Sequence, residues 1–161
     1  MPKNRKQRHS YSPQDAPSSR RPTKQPKAVK TLDAIIENMY SVISGPAGQK
    51  RDWRHFRTLY HPDARLVLAL QREGKMPIVR LLDVEDYIRR CDRIFQVEDF
   101  WEIETSRKTR RFGNIVQAWS AYESRRAPNG KPFHRGINSI QLCYDGSRWW
   151  IVSVVWNTTR G

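Results

Sequence analysis

Tyr60-His61-Pro62-Asp63-Ala64-Arg65-Leu66-Val67-Leu68-Ala69-Leu70 joins two kinds of structure. Before it, Asp52 can cap a short helix whose Trp53, Phe56, Leu59 and Tyr60 share one face. His61-Pro62 ends that helix, because the residue before a proline is biased away from helical dihedrals. Ala64 to Leu70 then reads as a strand. Toward the N-terminus, Leu32, Ile35, Ile36, Met39, Tyr40 and Ile43 keep helical spacing, with Thr31 as a cap and Gly45-Pro46 as a stop. Toward the C-terminus, beyond Gly74 and Pro77, a brief extended stretch at 78–81 precedes a third helix. That helix starts at Asp83, pairs Asp83 with Asp86 as in a capping box, and aligns Val84, Tyr87, Ile88, Cys91, Ile94 and Phe95.

From Glu98 the period changes to two. Segments at 99–108, 114–125, 133–144 and 148–156 read as an antiparallel meander with turns at Arg111-Phe112-Gly113, Pro128-Asn129-Gly130 and Asp145-Gly146. The last two strands carry apolar residues on both faces, which requires cover on both. Helices can cover one face, and a second copy of the chain is the simplest cover for the other, so a homodimer through the sheet is expected.

Helix, helix, strand, helix and meander is the order of the nuclear transport factor 2-like superfamily, also called SnoaL-like or cystatin-like, and 60–66 resembles the passage from its second helix to its first strand. Residues 111–116, 122–125, 135–142 and 145–152 are similar to a bacterial group of that superfamily without an assigned activity. The resemblance covers 31–161. It implies an α+β domain in which three N-terminal helices pack on a strongly curved antiparallel sheet, a cone with an internal pocket. It does not imply a chemistry, since the superfamily carries isomerases, dehydratases, cyclases and binding domains on one scaffold.

The 161 residues carry a net charge of +14. Residues 1–30 hold nine Lys or Arg against one acid, Asp15, and are rich in Pro, Ser and Gln with almost no aliphatic side chains. That composition predicts a disordered basic tail, able at most to make unspecific contacts with nucleic acid. Cys91 and Cys143 have no partner at metal-ligand spacing, so neither a metal site nor a cofactor is expected and both read as thiols of a cytoplasmic protein. No apolar run is long enough to span a membrane.

Catalytic candidates are few. Ketosteroid isomerases, which the 60–64 run resembles, place an Asp base at an offset that here falls on Leu68, so their enolisation is not supported. Tyr40, His61 and Asp63 remain as weak candidates, against the plainer readings of a packed helix residue and two turn residues. Glu102 and Glu104 alternate with Trp101, Ile103 and Thr105, and are expected to face solvent or a partner. If turned inward instead, the two carboxylates would repel and one would hold its proton. The expected pocket wall is Tyr40, Trp53, Phe56, Tyr60, Trp101, Trp119, Asn138 and Trp156, for a small apolar or aromatic ligand. Gln117, Ser139, Gln141 and Ser153, polar positions inside apolar strands, are assigned to the dimer interface. The leading expectation is therefore a homodimeric small-molecule-binding domain. A cofactor-free lyase, isomerase or hydrolase, and a dimeric interaction protein acting through its tail, are the alternatives.

Overall fold

Three side chains start the three helices. Thr31 Oγ1 accepts the Ala34 N–H at 3.1 Å, Asp52 Oδ1 that of His55 at 2.8 Å, and Asp83 Oδ1 that of Asp86 at 2.7 Å. Each satisfies an N–H that the first helical turn leaves without a carbonyl. The computed structural model describes residues 26–160, so the tail assigned to 1–30 lies almost wholly outside the described residues. Its last part is folded: Lys27–Val29 form one 3-10 turn, and Val29 is fully buried.

The elements are α1 (Leu32–Ile43), α2 (Trp53–Leu59), β1 (Tyr60–Leu70), β2 (Ile78–Leu82), α3 (Val84–Phe95), β3 (Trp101–Phe112), β4 (Ile115–Arg125), β5 (Pro132–Tyr144) and β6 (Trp149–Arg160). The expected meander is present and forms most of one open six-stranded sheet in the order β2-β1-β6-β5-β4-β3. One pair departs from antiparallel: β1 lies parallel to β6. Between Tyr60 and Arg65 the pairing with β6 shifts, around Pro62, which has no N–H to give a ladder. The first strand thus begins four residues before Ala64, at the tyrosine that closes α2.

The apolar faces of α1, α2 and α3 cover one side of the sheet, with Ile35, Ile36, Phe56, Leu59, Leu66, Ile140, Leu142 and Ile151 almost completely buried. Two buried arginines hold this layer in place. Arg51 donates to the carbonyls of Ile43, Gly45, Pro46 and Gln49 at the end of α1, and lies 5.0 Å from the Phe95 ring of α3. Arg148 donates to the carbonyls of Thr58 and Trp149 and so ties α2 to β6. These multiple carbonyl contacts satisfy two charged groups that would otherwise be costly to bury.

Candidate ligand cavity

Alternation along the strands decides what the helices enclose. Glu102 pairs with Ser124 and Asn138 with Trp156, and all four line a cavity of about 360 Å3 between the sheet and the helices. Phe56 of α2 and Tyr87, Cys91 and Phe95 of α3 form the facing wall, while Tyr60, Leu66, Tyr122, Phe133 and Val154 continue the sheet side. The exposed Ile94, Glu98 and Arg126 mark its mouth. There Arg126 bonds Glu98 at 2.5 Å and lies 4.2 Å from the Phe133 ring.

Glu102 and Asn138 supply the polar end. Asn138 Nδ2 donates to Glu102 Oε1 at 3.3 Å and to the Tyr40 hydroxyl at 3.0 Å. Tyr40 in turn meets Ser120 Oγ at 2.6 Å, and Ser120 donates to Glu104 Oε1 at 2.5 Å. Arg107 balances Glu104 at 3.3 Å and reaches Asp33 of α1 at 2.9 Å. The Glu102 backbone is fixed as well, since its N–H donates to Ser44 Oγ at 3.0 Å. Burial pushes the Glu102 carboxyl up to about 7, opposed only by the Asn138 hydrogen bond. The same loss of water raises the Cys91 thiol to about 12 and lifts the Tyr40 hydroxyl above its usual range, so neither is ionised near neutral pH.

The expected sites are therefore redistributed. Phe56, Tyr60, Asn138 and Trp156 line the cavity as anticipated. Tyr40 stands one residue behind it, holding Asn138. Trp53 packs behind Phe95, their rings 6.2 Å apart, and its N–H is taken by Asp92 at 2.7 Å. Trp101 and Trp119 are corrections, because alternation with Glu102 and Ser120 turns both to the opposite sheet face, where Trp119 is 52% exposed. Glu102 is the converse correction: the carboxylate expected outside faces the enclosed side. His61 and Asp63 lie together on another surface cleft beside Arg148 and Trp150, with His61 Nδ1 accepting the Asp63 N–H at 3.2 Å. That bond is the local turn contact of the plainer reading. Gln117, Ser139, Gln141 and Ser153 occupy successive outer-face positions around Trp119 and Val155.

No group of three or more His, Cys, Asp or Glu among the described residues is placed to hold a metal ion, and no described helix is long and apolar enough to cross a membrane. No family model matches the sequence, and no curated protein does. Solved structures do match its shape. An NTF-2 like protein of unknown function from Silicibacter pomeroyi is 18% identical, over 80% of this chain and 92% of that one, with a TM-score of 0.55. A protein of unknown function with a cystatin-like fold from Nostoc punctiforme is 8% identical over 81% and 94%, with a TM-score of 0.58.

The fold is the nuclear transport factor 2-like one. A third chain of similar shape, a putative calcium/calmodulin-dependent protein kinase II association domain from Xanthomonas campestris, is 14% identical over 80% and 85%, with a TM-score of 0.56. At such identities the nuclear transport factor 2-like likeness speaks for architecture, and the function has to be argued from the cavity.

Proposed function

We propose that the chain is a small-molecule-binding protein whose cavity takes an apolar or aromatic ligand bearing one polar group. The observation that carries this reading is the hydrogen-bonded Glu102 and Asn138 pair in a mostly apolar, ring-lined space. Few convergent polar groups in a concave apolar lining are what orient a ligand, and about 360 Å3 lies at the small end of the roughly 300–1,000 Å3 of typical sites. Native mass spectrometry of the full-length protein, followed by denaturation, tests it. A released small molecule, or displacement of an apolar fluorescent probe that Ser124→Trp excludes, is expected. A protein that retains nothing and binds the probe equally well with Trp at position 124 would overturn it.

Acid/base chemistry is favoured as a second reading by a carboxyl on the cavity wall, Glu102, which burial pushes up to about 7. A group that titrates near neutral pH can both take and return a proton, which fits a cofactor-free isomerase, lyase or hydrolase better than Tyr40, His61 or Asp63 do. The outer sheet face, with Trp119 and Val155 among Gln117, Ser139, Gln141 and Ser153, supports a homodimer as the working unit. The free thiols Cys91 and Cys143 fit a reducing, cytoplasmic setting.

A further inference from the structure

The polar end of the cavity is electrically unbalanced. Glu102 accepts one side-chain hydrogen bond, from the uncharged Asn138, and none of the ion pairs among the described residues includes it. Arg126, the arginine on the lining, is committed at the mouth to Glu98 and to the Asp99 carbonyl at 2.9 Å. Glu104 has its own cation in Arg107, on the far side of Ser120. Six segments contribute rings to the same lining, Tyr60 of β1, Tyr87 of α3, Phe100 before β3, Tyr122 of β4, Phe133 of β5 and Trp156 of β6, among aliphatic side chains such as Leu66 and Val154.

Three ligand charges can be compared in this setting. An anion would meet Glu102 in a space with little water to screen the repulsion. A neutral apolar molecule would leave the carboxyl with Asn138 alone. A cation would give the carboxylate the partner it lacks, and the rings would add attraction through their negative faces. We infer that the cavity is built for an organic cation, a compact alkyl or aryl ammonium whose nitrogen sits between Glu102 and the rings. The inference rests on the reading of the cavity as a ligand site and names the class of molecule that site takes.

At the polar end of the cavity the group whose charge changes near neutrality is Glu102. Tyr40, Tyr60, Tyr87, Cys91 and Tyr122, which face Glu102 from the packed elements, are all raised by burial and uncharged near neutrality. Glu98 and Arg126 stand at the mouth, and His134 also lines the cavity, so the proton count is compared between the parent protein and Glu102→Gln. A cation entering near pH 7 should therefore displace the Glu102 proton, and affinity for it should rise with pH across that region.

Benzyltrimethylammonium and its uncharged carbon isostere, neopentylbenzene, test this on the full-length protein by calorimetry and tryptophan fluorescence. Near pH 8 the cation should bind roughly tenfold or more tightly than the isostere. The preference should shrink near pH 6. Glu102→Gln should keep the isostere's affinity and lose the preference. On the unsubstituted protein, enthalpies in two buffers of different ionisation heat should show proton release on binding the cation and none on binding the isostere, a readout that does not depend on the variant folding. If the isostere binds as well as the cation near pH 8, the ligand is not a cation, although the cavity remains a site. If the Glu102→Gln protein still prefers the cation, the cation lies elsewhere and the inference fails. If neither compound binds, the inference falls together with the site reading.

Discussion

Glu102 makes the folded state pH-sensitive in a direction opposite to that of most carboxylates. Its carboxyl rises from 4.5 to about 7 on burial, so the native chain holds a proton that the unfolded chain releases inside that window. Stability is therefore expected to fall as pH increases from about 4.5 to about 7, and to be flat in this contribution outside the window. The size is set by the shift, and because the side chain keeps some surface toward the cavity we expect about 1–3 kcal/mol. Glu102→Gln should accordingly raise the unfolding free energy by that amount near pH 8 and leave it unchanged near pH 4. Denaturant titrations at the two pH values check this, and a variant less stable than the parent near pH 8 would contradict the assignment. The role of Glu102 was hard to see in the sequence for a physical reason: a charged residue on an alternating strand is normally the one that meets water. Its inward direction follows only once it is known that Trp101 and Ile103, its apolar alternates, belong to the outside.

At the level of elements, local signals read well and long-range ones did not. Thr31, Asp52, Asp83 and the Asp145-Gly146 turn each act within a few residues of themselves and sit where the sequence places them, although Asp86 gives its carboxylate to Arg89 and so does not complete the expected capping box with Asp83. The parallel seat of β1 beside β6 depends on a partner about 90 residues away, and nothing in the pattern of 64–70 names that partner. The direction of each meander face likewise depends on which side the helices pack. Gly136 of β5 shows how closely these elements then fit. A Cβ there would stand 2.3 Å from the Asn157 carbonyl oxygen and 2.6 Å from the Tyr122 ring, which lines the cavity. Gly136→Ala should thus push Tyr122 and β6 apart, with a stability loss of about 1–3 kcal/mol measured by thermal or denaturant unfolding. An unchanged midpoint would mean that the two strands yield more easily than their contacts suggest.

For the whole molecule, the sheet divides two tasks between its faces. The helix-covered face carries the polar chain from Glu102 to Arg107 through the core, while the open face carries Trp119 and Val155 at 52% and 38% exposure. This inversion of the usual arrangement is why a ring at position 119 reads from sequence as pocket wall. If the open face joins two copies, sedimentation of the parent protein should give a dimer. Trp119→Glu, which would bury two carboxylates against one another across a twofold axis, should give a folded monomer with the cavity's ligand affinity retained. A parent protein that sediments as a monomer would exclude this use of the face.

The sheet is not closed, and β3 ends it with Arg107-Lys108-Thr109-Arg110-Arg111 along an edge that no other strand among the described residues pairs with. Lys108, Arg110 and Arg111 are exposed. An unpaired edge invites a strand from another molecule, and repeated addition of that kind leads to fibres. Two copies approaching through β3 would bring these cations against one another, so the run acts as a gatekeeper that repels its own likeness. Its strength is Coulombic and weakens as counterions screen it. Concentrated protein should therefore form cross-β aggregates, read by a rise in thioflavin fluorescence, sooner in high salt than in low, and replacement of the three residues by Thr should remove the salt dependence.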